Sequence, residues 1–388
     1  MNPDITFVLG IRPDVIRASL VLRMLENHPQ VKMRFVWSGQ HYSDNLKDIF
    51  FRELGTPTPD VELGATGETD AEVSTSIIRA LYAELERNRP NAVMFLGDTN
   101  TVLGCIAAAQ LNIPIIHIEG CMRSYDWRMP EEKCRTVIDN LSDVIYTYFP
   151  EYKLQGVLEG LAPNRIVVIQ NLIVDVLNEY YFKHREEYKN IEVSFLNKLG
   201  ISEKYYLATA HRRENVEDPQ ILQKIMDLFG LAQKPVVFPA SYRTQKNLQR
   251  FQIKLPSNVL MIDPIGYRDM LALMGGAEAV ITDSGTVVEE TAVLGVPSVQ
   301  MRRATERPQT YDCRSSVKFD PTQDSIESVF SKLKLILGTK WTHNLGDGKA
   351  SERLVADLVK RVSTNTFGTH KPEDYHLPIE RSYRGDGL

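Results

Sequence analysis

Residues 91–119, NAVMFLGDTNTVLGCIAAAQLNIPIIHIE, decide the fold class of this chain. An apolar run (91–97) is followed by a run with helical spacing (101–112) and then by a second apolar run (113–119). A buried strand, a helix and another buried strand in this order favour parallel strands, because the helix carries the chain back to the starting edge. The segment therefore predicts one unit of a parallel sheet that is covered by helices.

The same alternation extends in both directions from this unit. Towards the N-terminus lie the apolar runs ITFVLG and VKMRFVWSG, each followed by amphipathic text, and after residue 130 come EEKCRTVIDNLS and DVIYTYF. Around residues 160–200 the sequence becomes polar, and a second alternation of apolar and amphipathic segments begins at YYLATA. The pattern predicts an α/β protein with two Rossmann-like domains whose parallel sheets face each other across a cleft. We expect these domains at 1–171 and 172–363, followed by a C-terminal arm at 364–388.

Length and composition limit the possible classes of protein. With 388 residues, 43% hydrophobic and 24% charged, the chain has the composition of a globular protein with about two domains. Its net charge of −5 argues against a nucleic-acid partner. No run of about 18 apolar residues predicts membrane insertion, and the N-terminus lacks the basic region of a secretion signal. The four cysteines have no metal-binding spacing, so we expect reduced thiols and a cytoplasmic location.

Three predicted strand ends in the first half carry polar residues. Gly10, Arg12 and Asp14 follow the first strand, Asp98 and Thr99 follow NAVMFLG, and Glu119 ends IPIIHIE. Ligands of open parallel sheets bind beyond such carboxyl ends. Neither GxGxxG nor GxxxxGK[ST] occurs, so dinucleotide binding by the usual loop is not supported.

Two strand ends in the second half are rich in cations and helix-start signals. ATAHRREN places His211 and Arg212 at one strand end, and TDSGTVVEE places Ser284, Gly285 and Thr286 at the start of a helix. Free backbone N–H groups at a helix N-terminus bind phosphate. Three more arginines follow in MRRATERP. These residues predict an anion-binding wall.

Each feature also has a purely structural interpretation. Asp98, Thr99, Ser284 and Thr286 are good helix caps, and Glu131 and Glu132 after Pro130 would complement a helix dipole. His211 after a buried strand is as consistent with a core histidine as with a ligand, and paired arginines are commonly solvated. The functional interpretation is favoured because acids, arginines and the phosphate-type turn all fall at strand ends.

Nine motifs in order resemble the non-hydrolysing UDP-N-acetylglucosamine 2-epimerase family. They run through nearly the whole chain: GIRPDVIRAS, GQH, GDTNT, HIEGCMRS, PEEKCR, AHRREN, TDSGTVVEE, ATERP and LGDGKASERL. The resemblance implies the GT-B fold, with a C-terminal segment that returns to the N-terminal domain. It implies a UDP-HexNAc substrate, neither metal nor nicotinamide, and a homodimer.

The resemblance also implies roles for individual residues. It makes Asp98, Glu119 and Glu131 the proton-handling acids around the sugar, and His211 a contact of the diphosphate. The remaining matched residues are implied in substrate or UDP binding: Arg12, Arg17, Arg123, Arg135, Arg212, Ser284, Gly285, Thr286, Glu290 and Arg307. UDP is expected mainly in the C-terminal domain, with Glu290 at the ribose hydroxyls.

Departures from the family pattern bear on the substrate. Arg17 stands where the family usually has lysine, Thr286 replaces the second glycine of S-G-G, and EGCM replaces E-A-G-L beside Glu119. Several motifs look closer to relatives that epimerise modified sugars. A retaining GT-B glycosyltransferase is the main alternative, and a catalytically silent sensor of nucleotide sugars is the second. Neither alternative requires three acids around C2 of the sugar.

Overall fold

A computed structural model describes residues 2–39 and 51–367 of the chain. Residues 40 and 41 of the GQH motif and most of the predicted arm lie outside these ranges. The chain folds as two compact units, Met1–Asp175 with Asp347–Leu388, and Val176–Gly346. Each unit contains one parallel sheet.

The division between the units differs from the predicted boundaries at 171 and 363. The chain rejoins the first unit at Asp347, before its last helix, because that helix is bound there. Asp175 accepts the backbone N–H groups of Ala350 and Ser351 at 3.2 and 2.6 Å. Tyr146 donates its hydroxyl hydrogen to Asp357 at 2.9 Å. The last helix, within the predicted second domain, therefore belongs to the first unit, and the predicted arm lies almost entirely outside the described residues.

The first unit contains a seven-stranded parallel sheet in the order β3-β2-β1-β4-β5-β6-β7. The sequences of its central strands are continuously apolar, because helices cover both faces of the sheet. Every residue of β4, β5 and β6 is buried. The strands are β1 (Asp4–Leu9), β2 (Lys32–Trp37), β3 (Val61–Glu62), β4 (Ala92–Leu96), β5 (Ile115–Ile118), β6 (Val144–Thr147) and β7 (Ile166–Val168). The strand order reverses between β1 and β4, which in such sheets is where ligands bind.

Helices of the first unit connect these strands. They are α1 (Arg12–Glu26), α2 (Asp70–Arg87), α3 (Cys105–Gln110), α4 (Pro130–Leu141), α5 (Pro150–Leu158), the start of α6 (Leu172–Tyr180), and the C-terminal helix α15 (Ala350–Thr364). Proline at the first or second position starts α1, α4 and α5, because proline lacks the N–H that would be unsatisfied there. A 3₁₀ turn, Asn100–Gly104, precedes α3, so the predicted helix at 101–112 is two short pieces.

The second unit repeats the architecture with six parallel strands in the order β10-β9-β8-β11-β12-β13. They are β8 (Tyr206–Thr209), β9 (Val236–Pro239), β10 (Val259–Ile262), β11 (Ala279–Thr282), β12 (Ser298–Met301) and β13 (Ser316–Phe319). Here the order reverses between β8 and β11. One core cluster on a face of this sheet includes Phe229, Phe238 and Phe319, all fully buried.

The helices of the second unit lie between these strands in sequence. They are α7 (Arg185–Leu199), α8 (Arg213–Val216), α9 (Pro219–Gly230), α10 (Tyr242–Arg250), α11 (Tyr267–Gly276), α12 (Gly285–Leu294), α13 (Gln309–Asp312) and α14 (Ile326–Ile336), after the second part of α6. Among the described residues no helix is long and apolar enough to cross a bilayer.

Candidate active site

In the first unit, the predicted acids lie at the edge where β1, β4 and β5 end. These three strands are neighbours, so residues that follow them meet at one edge of the sheet. Asp98 follows β4, Glu119 follows β5, and α1 begins at Arg12 just after β1. The structure therefore brings together the acids of two motifs and the arginines of the first motif.

Glu119 is buried and held in an unusual backbone conformation. Its φ of 74° lies in the left-handed region, which costs a non-glycine residue about 1–3 kcal/mol and is found at functional sites. One carboxylate oxygen, Oε2, forms an ion pair with Arg17 and accepts a hydrogen bond from the Tyr148 hydroxyl at 2.9 Å. Tyr148 was not among the predicted site residues, and only its position just after β6 points to it.

Asp98 has its own arginine, Arg135 of α4. The Asp98 side chain is 19% exposed, whereas Arg135 is almost completely buried. Arg135 also donates to Glu132 at 3.0 Å and to the Met122 carbonyl at 3.1 Å. The capping interpretation of Thr99 does not hold, because its side chain makes no cap hydrogen bond at the 3₁₀ turn it precedes. The two strand-end acids are thus each fixed by a separate cation.

A further acid, Asp14, lies in the same cluster. Arg17 bridges it to Glu119, with 2.7 Å between the Arg17 Nη2 and Asp14 Oδ1 atoms. Complete burial raises the pKa of Asp14 to about 8, with Arg17 lowering it and the negative charges of Asp98 and Glu119 raising it. The sequence marked Asp14 only as a residue of the first strand-to-helix turn.

Glu131 and Glu132 begin α4 but differ in their surroundings. Glu132 is buried and accepts hydrogen bonds from the Ser124 and Tyr125 backbone N–H groups at 3.1 and 3.0 Å. It therefore holds the loop that precedes the helix. Glu131 is partly exposed, and its charge acts together with that of Asp98 on Cys134, whose pKa burial and these acids raise to about 12. Glu131 and Asp98 thus both lie within electrostatic range of the Cys134 thiol.

Arg123 and Arg12 differ in how firmly the structure holds them. Arg123 is buried and forms ion pairs with Asp139 at 2.7 Å and Glu159 at 2.8 Å. These two acids lie in α4 and in the turn after α5, so the two ion pairs do not connect Arg123 to Asp98 or Glu119. Arg12 opens α1 and is partly exposed at the edge where β1 ends.

In the second unit, the buried Asp283 organises the predicted cationic strand end. It accepts the backbone N–H groups of His211 and Arg212, each at 2.9 Å, and the amide of Asn215 at 3.2 Å. The His211 ring also lies against it, with 3.1 Å between Nδ1 and Asp283 Oδ1. His211 is half exposed, so it is not a core histidine. The ring therefore lies against the Asp283 carboxylate at ion-pair distance, without a hydrogen bond of good geometry to Oδ1.

Ser284, Gly285 and Thr286 start α12, beyond β11. The Ser284 side chain accepts the Val287 N–H at 3.4 Å, so the capping interpretation is correct for this residue. No acidic residue occupies the first turn of α12, which keeps its positive dipole end uncompensated by side chains of that turn. Gly285 packs against Arg307, because a Cβ there would lie 3.0 Å from Arg307 Nε. This helix start can accept an anion.

The two glutamates of α12 are both buried. Glu289 lies 3.1 Å from Arg307 Nε, and Arg307 also pairs with Glu306 at 3.3 Å. Glu290 accepts the Tyr267 hydroxyl at 2.8 Å, so Tyr267 orients the carboxylate that was predicted to bind ribose. Among residues 2–39 and 51–367, no three His, Cys, Asp or Glu side chains are placed to hold a metal ion.

Asp14→Asn is expected to change how stability depends on pH. Between about pH 4 and 8 the folded protein keeps the Asp14 proton that the unfolded chain has lost, so this residue makes stability fall with rising pH by up to about 1.4 kcal/mol per unit. Asparagine cannot titrate. The melting temperature of Asp14→Asn relative to wild type should therefore rise from pH 5.5 to 8. Parallel curves of melting temperature against pH would contradict this assignment.

Comparisons with known proteins agree with the geometry of both units. The family model described as UDP-N-acetylglucosamine 2-epimerase matches residues 23–359. The UDP-N-acetylglucosamine 2-epimerase of Methanocaldococcus jannaschii is 34% identical over 91% of this chain and 98% of its own length. The UDP-2,3-diacetamido-2,3-dideoxy-D-glucuronate 2-epimerase of Pseudomonas aeruginosa is 32% identical over 91% of this chain and 98% of its own.

A comparison with solved structures also matches this chain to a UDP-GlcNAc 2-epimerase. The M. jannaschii UDP-GlcNAc 2-epimerase, crystallised with UDP-GlcNAc and UDP, has a TM-score of 0.85 and 32% identity, and covers 92% of this chain and 99% of its own. Together with the two parallel sheets, this similarity confirms the predicted α/β fold with two Rossmann-like domains of the GT-B type.

Proposed function

This chain belongs to the UDP-N-acetylglucosamine 2-epimerase family and is an isomerase of that type, and on this premise we propose how it works and on what. The proposed reaction inverts C2 of a UDP-linked 2-acetamido sugar. The C2 hydrogen is not acidic enough to leave alone, because no neighbouring carbonyl stabilises the carbanion. Its loss is coupled to departure of UDP from C1, which forms a C1=C2 double bond and gives a 2-acetamidoglucal. UDP then adds back to C1 while a proton is delivered to the opposite face of C2.

The observation that carries this mechanism is the pairing of each strand-end acid with its own buried arginine. Arg17 pairs with Glu119, and Arg135 pairs with Asp98. Each arginine fixes the position of one carboxyl group at the end of its strand. We propose Glu131, which belongs to the PEEKCR motif, as a third proton carrier. A reaction that removes a proton from one face of a carbon and returns it to the other needs at least two proton carriers, each worth about 10²–10⁴-fold in rate.

The second unit supplies the proposed UDP site. The α12 N-terminus offers the backbone N–H groups of Gly285 and Thr286 to the diphosphate, whereas the Ser284 N–H donates to Thr282 Oγ1 at 3.0 Å. His211, positioned by Asp283, and Arg212 add hydrogen-bond donors and charge at the adjacent end of β8. Such donors stabilise the negative charge that develops on UDP as it leaves C1. Glu290 is proposed to accept hydrogen bonds from the ribose hydroxyls.

The proposed substrates are UDP-GlcNAc and UDP-ManNAc or a modified UDP-HexNAc. Relatives of both kinds exist at similar identity, with 34% for the M. jannaschii enzyme and 32% for the P. aeruginosa enzyme. We place the reaction in the cytoplasm, where its product would supply the synthesis of cell-surface polysaccharide. We also propose a homodimer, for which sedimentation velocity should give twice the chain mass of 44.1 kDa.

Exchange of the C2 hydrogen in heavy water tests this function. The protein is incubated with UDP-GlcNAc or a modified UDP-HexNAc in D₂O, and C2 is followed by NMR without any acceptor. The epimerase should form the C2 epimer and introduce deuterium at C2. A retaining glycosyltransferase would leave the C2–H intact and require an acceptor, and a sensor would bind without any exchange. Either of these outcomes with UDP-GlcNAc and with every modified UDP-HexNAc tested would refute the proposal.

A further inference from the structure

His117 is a fully buried histidine of β5, and the mechanism above does not use it. Both of its ring nitrogens are hydrogen-bonded. Nε2 lies 2.8 Å from the Gly97 carbonyl oxygen, and Nδ1 lies 2.7 Å from Asp139 Oδ1. A buried ring with two such short contacts is fixed in position.

The chemistry of the two partners determines the protonation of the ring. A peptide carbonyl can only accept, so Nε2 must carry a hydrogen. Asp139 is also an acceptor towards its other neighbours, because its Oδ2 receives the Cys121 N–H at 3.0 Å and an Arg123 N–H at 2.7 Å. If Asp139 is a carboxylate, Nδ1 must donate as well, and His117 is an imidazolium.

In this state His117 and Arg123 each have an acid bonded to them. His117 and Arg123 are two cations, and Asp139 and Glu159 are the two acids bonded to them. Burial alone would raise the pKa of Asp139, but the hydrogen bonds and charges of His117 and Arg123 outweigh it and lower that pKa. Pairing of this kind is required for charges that are removed from water.

The same contacts tie together the two strand ends that carry the acids. Gly97 directly precedes Asp98, and Cys121 follows Glu119 by two residues. Gly120 between them has no room for a side chain, since a Cβ there would lie 2.6 Å from Asp139 Oδ1 and 2.9 Å from His117 Nδ1. This close approach explains why glycine stands beside Glu119 in the EGCM motif.

We propose that His117 is a positioning residue, held as an imidazolium between Gly97 and Asp139, which fixes the backbone that presents Asp98 and Glu119. The positioning role rests on the function proposed above, whereas the protonation state does not. Fixed geometry matters because a displacement of about 1 Å at reacting groups can cost about 10²-fold in rate.

The protonation state is tested by NMR of the ¹⁵N-labelled protein. The His117 ring signals are assigned by their loss in His117→Gln, and the ring is followed from pH 6 to 9. Other groups near the ring are Arg123, Glu159, and the Cys121 thiol, whose pKa burial raises and which stays neutral. Arg165 donates to the Asp139 carbonyl at 3.0 Å. Both ring nitrogens should give protonated shifts in wild type, because each faces an acceptor, and one should lose its proton in Asp139→Asn. A neutral Nε2–H ring in wild type would overturn the imidazolium.

The positioning role is tested by kinetics with a matched control. His117→Gln keeps only one of the two bonds, so kcat should fall about 10²-fold with KM changed less than about threefold. Arg165→Met is the control, because it removes hydrogen bonds that Arg165 donates to the Asp139 and Asn140 backbone carbonyls near the end of α4. This variant should have a lower melting temperature, but its kcat should stay within about threefold of wild type. Equal losses of kcat in both variants, or none in His117→Gln, would refute positioning. If wild type shows no exchange at C2, the proposed function fails, and the NMR result still decides the state of the ring.

Discussion

Glu131→Gln is expected to lower kcat for C2 exchange by about 10²–10⁴-fold while moving the melting temperature by less than about 2 °C. Glu131 is partly exposed at the second position of α4, where glutamine is also a good helix former. The substitution removes the proposed proton carrier but keeps the shape of the side chain. Single-turnover NMR in D₂O and thermal unfolding measure the two effects. A rate close to that of wild type would remove Glu131 from the mechanism.

Glu132→Gln is the matched control, because the same change is made one residue further along the same helix. Glu132 accepts the N–H groups of Ser124 and Tyr125 and pairs with Arg135 at 3.0 Å. An amide there turns an acceptor into a donor that faces other donors, which should cost about 1–3 kcal/mol of unfolding free energy. Reversed results, with Glu131→Gln unstable and Glu132→Gln stable, would show that the two roles have been exchanged.

Arg17→Met is expected to have the largest effect on stability. Arg17 is 4% exposed and is the cation between Asp14 and Glu119, which are 0% and 1% exposed. Removing one partner of a buried ion pair leaves an uncompensated charge and costs about 3–5 kcal/mol. Denaturant unfolding gives this free energy. A loss below about 1 kcal/mol would show that the cluster does not depend on Arg17.

Arg17→Lys separates the charge of this residue from its shape. Lysine restores the positive charge, but its single ammonium group lacks the planar fork that donates to two acidic side chains at once. We expect Arg17→Lys to recover most of the stability that Arg17→Met loses, and to retain measurable C2 exchange. Equal stability of the two variants would mean that the fork, rather than the charge, is what the two acids require.

The sequence predicted most of the fold because the signal for it is local. Runs such as NAVMFLG and IPIIHIE show their burial directly, and the parallel arrangement follows from helices between them. The chain joins the first unit again at Asp347, whereas the sequence places the boundary of the second domain at 363. That position depends on Asp175 accepting the N–H groups of Ala350 and Ser351, a contact that spans 175 residues and leaves no local pattern.

The sequence predicted which residue types form the candidate site, but not which of their side chains contact each other. Motifs placed Asp98, Glu119, His211 and Ser284 at strand ends, where parallel sheets bind ligands. They gave no indication that Asp283 organises His211, or that Arg123 faces Asp139 and Glu159. Tyr148 was missed because nothing in IYTYF distinguishes a site tyrosine from a core tyrosine.

By itself, then, the sequence determined two parallel sheets and which acids and arginines end their strands, because side-chain periodicity and strand-end position are properties of neighbouring residues. The tertiary structure decided which arginine forms an ion pair with which acid. Arg17 and Glu119 are 102 residues apart in the chain, and Asp98 and Arg135 are 37 apart. Such pairs are set by strand order and by the burial that makes a charge require a partner, and both exist only once the sheet has formed.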